Sequence, residues 1–102
     1  MIRDTRRHRR PYLGRIEFNE RRIRRWIRNH RGFASKEFLE GEVRYRTWIP
    51  IRNRRNCYRV FTDVVEGGKK ITRVVIHITH YPNGDANHPY QYVYIEHAHV
   101  LD

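Results

Sequence analysis

The chain reads as an α+β domain, with two N-terminal helices packed on a roughly four-stranded antiparallel meander sheet. Three observations predict this. Between Asn19 and Gly32, the apolar residues Ile23, Trp26 and Ile27 recur at i, i+3 and i+4, the spacing of one helical face. From residue 57 onward, the runs CYRVFTDVV, KITRVVIHITH and YQYVYIEHAHV are rich in β-branched and aromatic residues, which suit a pleated surface. The turn clusters EGGK and YPNGDANHP separate those runs, so consecutive strands are expected to pair as hairpins. At 102 residues the chain has single-domain length. The expected division is a mobile basic arm over 1–13 and one α+β domain over 14–102.

The arm comes first. MIRDTRRHRRP carries five arginines and almost nothing to bury, so it is expected to order only on a partner. Asn19 then caps the first helix and Gly32 stands where its C-cap is expected. Around the Ile23/Trp26/Ile27 stripe stand Arg21, Arg22, Arg24, Arg25 and Arg28. Like charges at helical spacing repel, and an anion lying along the helix would relieve them. Ser35 caps a second, short helix, KEFLE, ended by Gly41, with Phe38 and Leu39 as its buried contacts. EVRYRTWIPI is expected to be a strand as far as Pro50, which suits an edge or a strand end. IRNRRN follows as a basic loop holding Arg52, Arg54 and Arg55.

Charge divides the chain sharply. Residues 1–59 hold nineteen of the 22 basic residues and six acids, a balance of +13, whereas residues 60–102 balance at −2 and carry five of the seven histidines. An excess this asymmetric points to a phosphate backbone or an acidic protein partner. There is no apolar run long enough to span a membrane, and the basic start is followed by no apolar leader segment. The expectation is a soluble cytoplasmic protein without a membrane partner. Cys57 is the only cysteine, so no disulfide forms within the chain, in keeping with a reducing compartment.

Strand parity places the chemistry. If the EGGK turn pairs Val65 with Lys70, then Tyr58, Val60, Thr62 and Val64 share a face with Ile71, Arg73, Val75 and His77. If the last hairpin pairs His80 with Tyr90, that face gains Val93, Ile95, His97 and His99. Arg73 then stands opposite His97, with His99 one step along. Two imidazoles that titrate near neutrality beside a permanent cation suit phosphodiester cleavage. One imidazole takes the proton of a ribose 2′-hydroxyl, the other protonates the leaving oxygen, and the arginine stabilises the phosphorane. The plain alternative makes His97 and His99 surface residues of a half-exposed strand, and their convergence with Arg73 decides between the two. Tyr90, Tyr92 and Tyr94 share one face of the last strand, either as a base-stacking platform or as ordinary sheet packing. No cysteine pair and no HExxH spacing supports a metal site, so neither metal nor cofactor is expected.

The stretch IEFNERRIRRWIRNHRGFASKEFLEGEV resembles the start of small toxin-like domains of the RelE/BrnT type, within the wider barnase–EndoU–colicin–RelE group. Those domains open with a strand end, a basic helix and an Arg-Gly-hydrophobic segment leading into a second helix, matched here by Arg31-Gly32-Phe33-Ala34-Ser35-Lys36-Glu37. The closing VYIEHAHV is similar to their final strand. The histidine common early in their first helix is absent, with Arg21 or Arg22 in its place. The resemblance spans about 15–101 in outline; that group includes metal-independent ribonucleases as well as many domains of unknown activity, so the resemblance favours the nuclease expectation, with an acidic protein or inhibitor as the alternative partner to nucleic acid.

The expected function is therefore a small basic nucleic-acid-binding domain, RNA favoured over DNA, with cleavage carried by His97, His99 and Arg73. Arg21, Arg24, Arg25, Arg28, Arg52, Arg54 and Arg55 are the expected phosphate contacts. The competing expectation is a non-catalytic viral or plasmid accessory protein that uses the same surface for nucleic acid or for an acidic protein.

Overall fold

The computed structural model describes residues 14–101. The arm expected over 1–13 lies outside the described residues, as does Asp102. The elements run β1 (Arg15–Phe18), α1 (Glu20–Asn29), α2 (Lys36–Tyr45), β2 (Ile49–Pro50), β3 (Cys57–Glu66), β4 (Lys69–Tyr81) and β5 (Tyr92–Leu101). The architecture is α+β, with two helices and one five-stranded sheet in the order β1-β5-β4-β3-β2.

The sheet is mixed, which corrects the expectation of about four antiparallel strands. β1 pairs parallel with β5, Arg15 opposite Tyr92 and Phe18 opposite Ile95. RIEF alternates polar and apolar residues over only four positions, the shortest run that reads as a half-buried strand. What fixes it is packing, since Ile16 and Phe18 both rest against the core.

Both N-caps form as the sequence predicts, but α1 ends at Asn29 with His30, not Gly32, as its C-cap. The Asn19 side chain accepts from the Arg22 N–H, and the Ser35 hydroxyl accepts from the Phe38 N–H at 3.0 Å. α2 does not stop at Gly41, however, and much of the strand expected over EVRYRTWIPI is helix. Leu39 and Val43 lie at i and i+4 and are both fully buried. Burying the second of them contributes about 1.5–3 kcal/mol, against roughly 1 kcal/mol for a glycine inside a helix. The Trp48 indole N–H then donates to the Val43 carbonyl at 2.8 Å, satisfying a helix-end acceptor. Only Ile49 and Pro50 remain as strand, at the sheet edge where proline is tolerated.

The meander is interrupted by two β-bulges, and they correct the expected registers. The turn does pair Val65 with Lys70, but Val64 then pairs with Thr72, leaving Ile71 unopposed. In the last hairpin His80 faces Val93 rather than Tyr90, and between His77–His97 and Ile78–Ile95 the extra residue is Glu96. As a result Val60, Thr62 and Val64 share the helix-covered face with Val74, Ile76 and Ile78. Val93, Ile95, Ala98 and Val100 continue that core on β5, under Ile23, Trp26, Leu39 and Val43. Arg59, Phe61, Asp63, Arg73, Val75, His77, His97 and His99 are turned to the opposite face.

Candidate active site

Three histidines meet on the face away from the helices. His77 on β4 faces His97 on β5, and their rings stack with centroids 4.3 Å apart at 22°. His99, one outward position further along β5, also lies against His77 at 5.2 Å and 5.9 Å from His97, and the Nε2 atoms of His77 and His99 are 3.1 Å apart. One of those nitrogens must donate and the other accept, so the pair shares a single proton. Glu96, carried outward by the bulge, accepts from the Thr79 hydroxyl at 3.1 Å and sits beside His97.

Arginines surround this cluster. Arg59 is the β3 partner of His77 in the register, so β3, β4 and β5 lay Arg59, His77 and His97 in a row. Arg22 reaches in from α1 and Arg54 from the basic loop between β2 and β3. Arg22 and Arg54, with Ile51, Cys57 and Thr79, line a cavity of about 190 Å³ whose walls include His77, Glu96 and His97, while Arg59 flanks His77 outside that lining. The loop can carry Arg54 there because Asn53 and Asn56 take left-handed backbone conformations, which asparagine tolerates better than most residues.

The electrostatics of the cavity are set by its arginines and by the burial of its imidazoles. Burial pushes the His77 imidazolium down from 6.5 to about 4, helped by His97, His99, Arg59 and Arg54. His97 is also lowered, by burial first and by Arg22 and His99 next, against an opposing pull from Glu96. Both rings that line the cavity are therefore neutral at pH 7. The Arg59 Nε is buried and has no hydrogen-bond partner. Among the described residues no carboxylate forms an ion pair with Arg22, Arg54 or Arg59. A buried N–H left without an acceptor is costly, and an anion bound beside Arg59 would supply one.

Of the catalytic residues expected from sequence, the structure brings His97 and His99 together and leaves Arg73 apart. Arg73 lies opposite Leu101 rather than His97, and its Nε donates to Asp63 Oδ1 at 2.9 Å. That bond is the leading reason the Asp63 carboxyl is held below its ordinary range. The residues missed in the sequence are Arg59, Arg22 and Glu96, and His77 as a cavity group. Arg21, Arg24, Arg25 and Arg28 are all exposed on α1, and Arg52, Arg54 and Arg55 are exposed in the loop. The tyrosine row is not an open stacking platform. Tyr92 is buried, lies parallel to Tyr81 with centroids 4.6 Å apart, and donates its hydroxyl to Asp85. Tyr94 is half-buried, and Tyr90 is exposed but lies outside β5.

Among the described residues no three histidine, cysteine or acidic side chains are arranged to hold a metal ion. The imidazoles stack ring on ring instead of converging their nitrogens on one point. No described helix is long and apolar enough to cross a membrane. Comparison with protein-family models, with curated proteins and with solved structures finds no match to this chain.

Proposed function

We propose that this domain binds RNA through its arginine-rich half and cleaves the backbone, without a metal ion, in the cavity lined by His77 and His97. The observation that carries the reading is the pair of neutral imidazoles among three arginines that no described carboxylate neutralises. A phosphodiester seated on Arg22, Arg54 and Arg59 supplies the missing negative charge, and that charge raises the pKa of both rings. His77, the more strongly depressed ring, takes the proton of the 2′-hydroxyl. The 2′-oxygen then forms its bond to phosphorus as the bond from phosphorus to the 5′-oxygen breaks. His97 gives its proton to that leaving oxygen, and a 2′,3′-cyclic phosphate remains. His99 acts through His77, which it holds by the Nε2–Nε2 bond, and is a positioning residue. Arg73 has no part in this geometry.

The second reading, a non-catalytic accessory protein of viral or plasmid type, rests on a separate observation. The α1 arginines are exposed and unpaired among the described residues, so they can bind nucleic acid or an acidic protein whether or not the histidines react. Under the toxin-type resemblance such a protein would be an inhibitor. Either reading belongs inside the cell, with Cys57 reduced.

Incubation with end-labelled RNA in excess EDTA separates them. Cleavage to a cyclic phosphate is expected, with the all-deoxy oligonucleotide resistant and the double variant His77→Ala/His97→Ala inactive yet still binding. Binding without cleavage by the wild-type protein would leave the accessory reading in place.

A further inference from the structure

The cavity is not where the cationic surface ends. A second groove of about 270 Å³ opens between α1 and β5, lined by Arg22, Arg25, Trp26, Asn29, His97 and Ala98. Arg22 and His97 also line the catalytic cavity, so the two recesses share a wall. The groove exists because β1 covers β5 only as far as Ile95. Beyond that point the chain turns into α1, beginning with the Asn19 N–H bonded to the Ile95 carbonyl at 2.9 Å, and among the described residues no strand covers that side of β5 past Ile95.

The groove is built from donors. Arg22 and Arg25 lie three residues apart on α1 and so project from neighbouring positions of one face. Neither forms an ion pair among the described residues. Asn29, one turn beyond Arg25, adds a carboxamide. The Trp26 ring forms part of the wall, although its own Nε1 is buried and unpartnered. No described carboxylate lines the groove. Two forked guanidiniums with no acid between them match a phosphate better than any neutral group.

Resting on the RNA reading above, we propose that this groove is a second phosphate subsite, holding the phosphate one nucleotide along from the one seated on the histidines. The strand would then run from the Arg54 loop, over His77 and His97, and on along α1. The substrate class follows: a single strand of at least two consecutive phosphates, with the flanking phosphate contributing to binding and not to chemistry.

The test is an amide and indole chemical-shift titration with 2′-O-methyl dinucleotides, which cannot undergo 2′-hydroxyl attack. Three ligands are compared: no terminal phosphate, a 5′-phosphate, and a 3′-phosphate. A terminal phosphate at one end, and not the other, is expected to tighten binding about tenfold, with the largest shifts at Asn29 and the Trp26 indole N–H. Arg25→Ala should abolish that increment, so that the three dinucleotides then bind alike. Equal gains from both ends that survive Arg25→Ala would mean general attraction to a basic surface and overturn the subsite. No gain from either end would do the same. Cleavage in EDTA is scored separately, so RNA cleaved without a terminal-phosphate increment removes only the subsite. An Arg25-dependent increment without cleavage removes only the catalytic assignment. Failure of every dinucleotide to bind removes both.

Discussion

Arg59 is the residue whose replacement most sharply separates function from folding. Its guanidinium stands beside His77, its Nε is buried without a partner, and no described acid offsets it. Arg59→Met keeps an unbranched stem against the sheet and removes the orphaned donor. A buried unsatisfied N–H costs about 1–3 kcal/mol, and part of that gain is lost with the packing of the guanidinium. A net stabilisation of about 1 kcal/mol is expected, which in a domain near 100 residues raises Tm by roughly 4–8 °C. The same substitution should lower cleavage about 100- to 1,000-fold, as loss of one preorganised charge donor does elsewhere.

The assays are a circular-dichroism melt in phosphate-free buffer, RNA cleavage in EDTA, and an NMR titration of the histidine ring protons. Removing a positive neighbour favours the imidazolium, so the His77 pKa should rise from about 4. Added phosphate should raise Tm for wild type and leave the variant unmoved, because ligand binding stabilises only the form that binds. A variant that melts several degrees below wild type and still cleaves RNA would refute the reasoning. Arg59 would then be a structural element with a partner of its own.

Four further outcomes are expected. His77 titrates at about 4 when folded against 6.5 in an ordinary setting, so between those values the unfolded chain binds the extra proton. Stability is therefore full above pH 6.5 and is lost as pH falls toward 4, by about 1–2 kcal/mol after discounting for the partly exposed ring. Urea titrations from pH 7.5 to 5 should show that slope, and His77→Phe should flatten it. Because both cavity imidazoles are depressed in the free protein, the bell-shaped kcat/KM profile should peak acid of 6.5, and a peak at pH 7.5 or above would contradict the assignment. Trp26→Ala should lose about 3–5 kcal/mol, whereas Trp26→Phe, which deletes an unpartnered indole N–H, should cost about 1 kcal/mol or less; equal losses in urea melts would show that the N–H is satisfied. RNA affinity should fall with salt at a log–log slope of about −4 to −5, and Arg24→Ala/Arg25→Ala/Arg28→Ala should make it shallower by about 2–3 without moving Tm.

Local chemistry made parts of the fold legible in the sequence. Asn19 and Ser35 mark helix starts because their side chains answer backbone donors within three residues. The glycine pair of EGGK fixes a turn because Gly67 and Gly68 both take positive φ. What escaped was set at longer range. β1 is held by β5, some 75 residues away in the chain, and the last turns of α2 are held by the burial of Val43, which outweighs Gly41. Arg59 was invisible as a site residue because its importance comes from lying opposite His77, which only the observed register reveals.

The bulges explain why strand parity sets His97 beside His99 and yet misplaces Arg73. The turn pairs an odd residue, Val65, with an even one, Lys70. Yet the apolar positions that must share a face are even on both strands: Val60 and Val64 on β3, Val74, Ile76 and Ile78 on β4. The two conditions are compatible only if one residue is left out of the ladder, and Ile71 is that residue. The same conflict recurs on β5. Val93 and Ile95 belong to the core, and strict alternation would send His97 and His99 in after them, beneath α1, where polar rings would be desolvated without partners. Leaving Glu96 unopposed instead turns Ala98 and Val100 inward and both histidines outward. Bulges commonly re-aim side chains in this way beside functional sites. Burial alone therefore demands the slip that lays His97 and His99 against His77 and, through the β3 register, sets Arg59 beside them.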